Sequence, residues 1–342
     1  MLSRIRSAAR ILFKGETKKN KRNPIPAITA EEVAEIKQFF PREKFFIFGH
    51  ARSGTTLLMR LVRLHPEVHC NYQAHFFTRE QSLKSIVDTP EIERWLTRRA
   101  NRWNRGRDLS PVILRAAADI ILERDAAREG KVIVGDKSPS SVIHGQAVRD
   151  MHAVYPDAKL VYIVRDGRDV LISDRFRNFV EDSKFLSMED KQIIEALRKD
   201  QSQFTDGRRS IFTETFIRRV SKGWVTNLQE IEDEGRRLFD EKYFSLRYED
   251  LLKDPFKEMT RLWKFLGVKK INKSLDELVM VEMASNPDEE WQAQRDDSIA
   301  SFLPKGQAGN WQRLFTTRDK TVFKEIAGEI LINWKYEKDL NW

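Results

Sequence analysis

The sequence contains one cysteine, Cys70, in 342 residues, and no apolar run that approaches the length of a membrane span. A single cysteine cannot form an internal disulfide, which excludes a small disulfide-built domain and favours a reducing, cytoplasmic compartment. A membrane-spanning helix needs ~18 or more consecutive apolar residues, so none is expected. The sequence also lacks CxxC, HExxH and clustered carboxylates with ligand spacing, so no metal site is expected.

Charged residues are abundant, but the excess positive charge lies in one place. Lysine and arginine number 61 against 52 aspartates and glutamates, which gives a formal net charge of +9. Residues 1–24 contain eight basic residues and one acidic residue, or +7, and nine minus seven leaves +2 for residues 25–342. We therefore expect a basic tail, residues 1–24, followed by a single domain, residues 25–342. A nearly neutral body without a recognised module argues against nucleic-acid binding.

The basic tail has three interpretations. Its apolar residues recur at helical spacing among arginines, which is typical of an amphipathic anchor in peripheral contact with an anionic membrane. The same composition suits a solvated, disordered leader. It also suits a basic, arginine-rich organelle transit peptide, so three alternatives stand at this point.

Beyond the tail, short apolar runs alternate with helical patterns. Residues 29–32 form a capping box that opens a helix reaching about Phe40. The candidate strands are residues 44–48, 132–134, 160–164 and 243–246. Strands that alternate with helices predict an α/β fold with a central parallel sheet flanked by helices. Residues 89–129 and 181–235 are long and helical in character, so we expect helical insertions packed on one core.

The segment Gly49–Thr56, which we call the phosphate loop, lies between the first candidate strand and a helix. It has the G-x-x-x-x-G frame of a Walker A motif, but Thr55 stands at the lysine position. Backbone N–H groups at a helix N-terminus bind anions, and Gly54 lets the backbone approach a phosphate. Further donors are the hydroxyls of Ser53, Thr55 and Thr56. Because Arg52 brings a cation into the loop, the motif predicts a P-loop-like nucleotide-binding fold that holds a 5′-phosphate carrying a labile group.

A second strand, turn and helix repeat this design at residues 160–173. Arg165 stands at the strand end and Ser173 lies about two helical turns further on, so both are expected to face one anion. Arg168 is a further candidate. The alternative is an ion pair between Arg165 and Asp166, with Asp166 as the helix cap. Two phosphate sites at neighbouring strand ends predict a nucleotide phosphorylated at both its 5′ and 3′ positions.

These motifs resemble those of the sulfotransferase superfamily, whose donor is 3′-phosphoadenosine 5′-phosphosulfate (PAPS). Residues 52–56 resemble the family's 5′-phosphosulfate loop, and residues 52–70 are similar to tyrosylprotein and bacterial sulfotransferases. Residues 248–255, followed by 265–267, match a segment common to the superfamily. Residues 305–311, the late loop, resemble a segment that closes over the donor in cytosolic sulfotransferases.

The resemblance implies a set of donor-binding residues in this chain. They are Arg52, Ser53, Gly54, Thr55, Thr56, Arg165, Ser173, Tyr248, Lys305 and Gly306. It also implies in-line transfer of a sulfuryl group from PAPS to a hydroxyl or amine of an unidentified acceptor, such as a glycan, lipid or small molecule. Arg52 then serves the leaving phosphate. Lys137 matches a lysine that related enzymes aim at the sulfate or bridging oxygen; the alternative is a surface lysine beside Asp136.

The proton acceptor is where the chain departs from the family pattern. Relatives place a glutamate where this chain has Gln73, and an amide cannot accept a proton at neutral pH. His75, of a residue type with an ordinary pKa of about 6.5, and Asp136 are the candidate bases. An amine or acidic phenol as acceptor would need little help from a base. A P-loop kinase and a non-catalytic nucleotide-binding module of the same fold are the alternative functions.

Overall fold

The computed structural model describes residues 25–78, 83–98, 103–140, 144–181, 186–285 and 306–342. Its central sheet has five strands: β1 Glu43–Gly49, β2 Val68–Tyr72, β3 Ile133–Lys137, β4 Lys159–Val164 and β5 Tyr243–Arg247. They pair in the order β2-β3-β1-β4-β5, and every pairing is parallel. The predicted α/β fold with a central parallel sheet is therefore confirmed.

Helices cover both faces of the sheet. The α-helices of the described residues are α1 Ala30–Lys37, α2 Thr55–Val62, α3 Pro90–Thr97, α4 Ser110–Arg128, α5 Gly145–Val154, α6 Gly167–Glu181, α7 Met188–Lys199, α8 Ser202–Thr205, α9 Glu214–Phe239, α10 Tyr248–Lys253, α11 Pro255–Leu266, α12 Ser274–Ala284, α13 Trp311–Leu314 and α14 Thr317–Asn333. Two 3₁₀ turns, Lys84–Val87 and Asp240–Lys242, complete the set. The expected helical insertions are present as α3 with α4 and as α7 to α9.

The strand β2 was absent from the sequence-based prediction because polar side chains interrupt its apolar pattern. Val68 and Cys70 are buried, but His69 is buried too, and its Nδ1 lies 3.0 Å from a Glu129 carboxylate oxygen. Asn71 donates from Nδ2 to two backbone carbonyl oxygens. Polar partners that are remote in sequence thus let these residues occupy an edge strand that apolar periodicity does not reveal.

Side chains of β1 alternate between two hydrophobic cores. Phe46 and Phe48 pack into one core, which also contains Trp224. Phe45 and Ile47 pack into the other, which contains Trp263. A parallel sheet buried on both faces requires apolar residues at successive positions, which explains the continuous apolar run of β1.

The chain topology creates a crevice at the carboxyl ends of β1 and β4. The two strands are neighbours, but the chain leaves β1 toward the β2 edge and leaves β4 toward the β5 edge. In open α/β sheets, ligands bind at such a switch point. The phosphate loop follows β1 and the second predicted anion site follows β4, so both open into this crevice.

Buried ion pairs lie on the opposite side of the sheet, near the amino ends of the strands, which we call the amino edge. The Arg115 side chain is fully buried and donates to both carboxylate oxygens of Asp157, at 2.6 and 2.9 Å. Nearby, Lys44 Nζ lies 2.6 Å from a Glu123 oxygen. Burial acts to raise the pKa of Asp157, but hydrogen bonds and charge from Arg115 and Lys37 lower it to about 2. This network joins α4 to the start of β4.

We expect R115A to lower the free energy of unfolding by about 3–5 kcal/mol, because it removes the buried cation that donates to both carboxylate oxygens of Asp157. Since the Asp157 pKa is lower in the folded protein, its stabilising effect is present above the ordinary pKa of 3.8 and is lost as the pH falls toward 2. Urea titrations should therefore show a smaller difference between R115A and wild type at pH 3 than at pH 7. R124A, which removes an exposed arginine of the same helix, is the matched control. An R115A protein as stable as R124A would contradict the prediction.

Candidate functional site

The phosphate loop adopts a left-handed conformation at two positions. Arg52 has φ 74° and Gly54 has φ 85°. Gly54 is also the N-cap of α2, and no side chain caps that helix. The first-turn N–H groups of α2 therefore have no side-chain acceptor, and a helix N-terminus of this kind attracts negative charge.

Tyr248, at the start of α10, packs against this loop. A Cβ atom built on Gly54 would lie within 2.5 Å of two carbon atoms of the Tyr248 ring. The same ring lies 4.9 Å from the guanidinium carbon of Arg165, and the Tyr248 hydroxyl donates to the Gly306 carbonyl oxygen at 3.0 Å. Only glycine fits between the loop and this ring.

The structure brings together the predicted residues Arg52, Arg165 and Ser173, with a pairing that differs from the expectation. Arg52 Nε donates to Ser173 Oγ at 2.9 Å, whereas Arg165 Nη1 donates to the Arg52 carbonyl oxygen at 3.0 Å. Two buried donors at this point, Ser53 Oγ and Arg165 Nε, have no hydrogen-bond partner within the described residues. Buried polar atoms are normally satisfied, so these two fit an anionic ligand.

Arg168, the further candidate for binding a ligand anion, is paired with carboxylates of the protein itself. Its guanidinium pairs with Asp166 at 2.6 Å and with Glu337 at 2.5 Å. Its guanidinium carbon lies 3.6 Å from the ring centroid of Trp311 and 4.4 Å from that of Trp342. Asp166 therefore pairs with Arg168 and not with Arg165, while its Oδ1 does accept the Arg168 N–H as a helix cap.

The described part of the late loop docks on the same crevice. Asp169 accepts the N–H groups of Gly309 and Trp311 at 2.6 and 3.1 Å. Arg165 Nη2 donates to the Gln307 carbonyl oxygen at 2.9 Å. Asp169 is a site residue that the sequence did not single out, although it lies in the strand, turn and helix motif. Lys305 lies outside the described residues.

Lys137 reaches the phosphate loop from the end of β3. Its Nζ lies 3.2 Å from Thr56 Oγ1 and 3.9 Å from the ring centroid of Tyr72. Burial lowers the pKa of Lys137 to about 8, against the opposing effect of Asp136. Lys137 is buried, so the alternative of a surface lysine is wrong. Tyr72 belongs to the strand that the sequence analysis missed, which is why its contact was not foreseen.

The two candidate bases occupy different surroundings. Asp136 is buried, and burial raises its pKa to about 6. Its Oδ1 accepts the Ala74 N–H at 2.9 Å, and its Oδ2 accepts the Ser138 hydroxyl. His75 is half-buried, and its Nδ1 lies 2.9 Å from Thr78 Oγ1, which orients the ring.

Comparison with known proteins places the chain. A family model described as the sulfotransferase family matches residues 44–273, more than half of the sequence. The chain belongs to the sulfotransferase family. The match includes the phosphate loop, Lys137, Arg165 and Tyr248, but not the late loop. Both predicted anion sites therefore lie within the region that matches the family.

Individual relatives are distant. Sulfotransferase 1C2 of Rattus norvegicus is 26% identical over 183 residues, which cover 50% of this chain and 53% of that protein. Protein-tyrosine sulfotransferase A of Caenorhabditis elegans is 24% identical over 224 residues, covering 65% and 49%. The chain spans about half the length of the curated relatives it matches. A solved mouse sulfotransferase structure, described as complexed with PAP, is 16% identical with a TM-score of 0.46 and covers 89% of this chain and 90% of that one.

Among the described residues, no helix combines the length and the apolar character that crossing a membrane requires. Nor do those residues contain a group of three or more histidine, cysteine, aspartate or glutamate side chains arranged to hold a metal ion.

We expect G54A to destabilise the protein more than G130A does. Both glycines have positive φ, but a Cβ at Gly130 meets nothing within 4 Å, whereas one at Gly54 meets the Tyr248 ring. The difference should be about 1–3 kcal/mol, the usual cost of overpacking. Thermal unfolding followed by circular dichroism measures both variants. Equal losses would mean that the Tyr248 ring moves away without cost, against the prediction.

Proposed function

We propose that the protein transfers a sulfuryl group from PAPS to a hydroxyl or amine of an acceptor. The observation that carries the proposal is the convergence of Arg52, Arg165 and Ser173 in one crevice, where the buried donors Ser53 Oγ and Arg165 Nε have no hydrogen-bond partner within the described residues. Membership of the sulfotransferase family supports it. PAPS supplies the sulfuryl group when bound, and 3′,5′-adenosine bisphosphate leaves.

The residues present fit such a donor. The phosphate loop offers left-handed backbone, helix N-terminal amides and Arg52 to a 5′-phosphate. Arg165 and Ser173 serve the 3′-phosphate, and Tyr248 and Gly306 lie beside them. Lys305, which lies outside the described residues, is a proposed donor contact on the resemblance alone.

Lys137 and His75 complete the proposed chemistry. Lys137 is protonated at neutral pH because its pKa of about 8 lies above that value, and it stands beside Thr56 of the phosphate loop. A positioned cation stabilises charge that develops on the leaving oxygen. His75 takes the acceptor proton in place of the glutamate that Gln73 replaces, with its ring held by Thr78.

The proposal extends to the organisation of the chain. Residues 25–342 form one sulfotransferase domain, and the family match lies wholly within it. Residues 1–24, a basic tail outside the described residues, contact an anionic membrane surface, and the protein works in the cytoplasm.

Donor binding tests the first part of the proposal. We expect 3′,5′-adenosine bisphosphate to bind without Mg²⁺, and R165A to weaken it about 10- to 100-fold, since hydrogen bonds to charged groups contribute about 1.5–3 kcal/mol. Isothermal titration calorimetry measures this, and R124A, an exposed arginine elsewhere, should bind like wild type. A preference for ATP with Mg²⁺ would instead favour a P-loop kinase.

Labelled sulfate transfer tests the second part, with a panel of glycan, lipid, phenol and peptide acceptors. On any acceptor that is sulfated, we expect H75A to lower kcat at least tenfold while its affinity for 3′,5′-adenosine bisphosphate stays near wild type, because a general base contributes about 10²–10⁴-fold. H152A, which changes a histidine on α5, is the control. Donor binding without transfer to any acceptor would favour the non-catalytic binding module. Transfer by H75A at the wild-type rate would remove His75 as the base.

A further inference from the structure

Residues 73–75, which follow β2 and which we call the His75 segment, have a strained backbone at two positions. Gln73 has φ 57° and His75 has φ 52°, and neither is glycine. Residues other than glycine rarely adopt a positive φ. Such a backbone conformation persists only where surrounding contacts impose it. The contacts that impose it therefore decide where the proposed base is held.

All three backbone N–H groups of this segment donate to three consecutive residues at the end of β3. The Gln73 N–H donates to the Lys137 carbonyl oxygen at 2.9 Å. The Ala74 N–H donates to Asp136 Oδ1 at 2.9 Å, and the His75 N–H donates to Ser138 Oγ at 2.8 Å. The Ser138 hydroxyl in turn donates to Asp136 Oδ2.

We propose that Asp136 is a positioning residue which, with Ser138, fixes the His75 segment against β3 and is not itself the proton acceptor. This inference rests on the proposed sulfuryl transfer and deepens it. It assigns roles to the two candidate bases: His75 acts on the acceptor, and Asp136 acts through the backbone of residues 73–75.

The contacts of Asp136 argue against a role as base. Its Oδ1 accepts a backbone N–H and its Oδ2 accepts a hydroxyl, so each oxygen already stabilises the structure as an acceptor. Protonation would remove the charge that strengthens these hydrogen bonds, because charge-assisted hydrogen bonds are stronger than neutral ones. The side chain is also 1% exposed and Ser138 is 2% exposed, as expected for structural partners inside the fold.

The same strand end also reaches the phosphate loop. Between Asp136 and Ser138, Lys137 Nζ contacts Thr56, and the Ser138 N–H donates to the Ile47 carbonyl oxygen in β1 at 3.0 Å. The end of β3 therefore fixes the distance between the proposed base and the proposed donor site. Loosening the His75 segment should lower turnover while leaving donor affinity in place.

The variants D136N, D136A and S138A test this role. The asparagine oxygen still accepts the Ala74 N–H, and its amide group can donate to Ser138 Oγ, so D136N should rescue turnover at least tenfold over D136A. S138A, which loses the His75 contact and the hydrogen bond to Asp136 Oδ2 but keeps the contact between Asp136 and the Ala74 N–H, should lower kcat to a value between these two. All three should bind 3′,5′-adenosine bisphosphate within about threefold of wild type, and D233N, an exposed carboxylate on α9, is the control.

Hydrogen–deuterium exchange of the intact protein adds a readout that does not need turnover. Protection at the Ala74 and His75 amides should fall in D136A and S138A and be largely retained in D136N. A D136N protein with retained protection but with kcat as low as that of D136A would make Asp136 the base and overturn the proposal. Unchanged protection in D136A, or in S138A should D136A not fold, would overturn it as well. Failure of the proposed function appears separately, as absent donor binding and transfer by wild type, and exchange then decides whether Asp136 positions the segment.

Discussion

The guanidinium of Arg165 connects segments of the chain that are distant in sequence. It donates to the carbonyl oxygen of Arg52 in the phosphate loop and to that of Gln307 in the late loop. It also lies over the Tyr248 ring, which blocks any side chain at Gly54. One planar group with several donors in a fixed geometry thus sets the mutual position of two loops and a helix start.

Side chains at the end of β3 contact two different segments of the chain. Lys137 points its ammonium group to Thr56 and the Tyr72 ring, whereas Asp136 and Ser138 receive the backbone of residues 73–75. Alternation along a strand sends neighbouring residues to opposite sides, so one short strand end serves both the donor loop and the segment of the proposed base. This arrangement explains why, within the described residues, the buried Asp136 carboxylate lies beside the buried Lys137 without a direct ion pair between them.

The sequence predicted the features that repeat general patterns and missed those that depend on tertiary partners. Four strands, the parallel sheet and the approach of Arg52, Arg165 and Ser173 followed from apolar runs and a known loop geometry. The sequence did not predict the strand β2, because its polar side chains His69 and Asn71 have hydrogen-bond partners that are remote in sequence. The sequence did not predict the proposed role of Asp136 for a similar reason. Its partner is the backbone amide of Ala74, which lies between two residues of positive φ, and residue types alone do not predict such a backbone.

Positive side chains have different partners at the amino ends of the strands (the amino edge) and at their carboxyl ends (the carboxyl edge). At the amino edge, Arg115 and Lys44 are matched by carboxylates of Asp157 and Glu123. At the carboxyl edge, the hydrogen bonds of Arg165 go to carbonyl oxygens and that of Lys137 goes to a hydroxyl, which are neutral partners. A buried cation whose hydrogen bonds end on neutral groups can still form a direct ion pair with an added anion, whereas one held by a carboxylate already has such a pair. The net charge of +9 conceals this difference, because most of it belongs to the tail, and two cations with neutral partners matter more for a doubly phosphorylated ligand than the overall balance does.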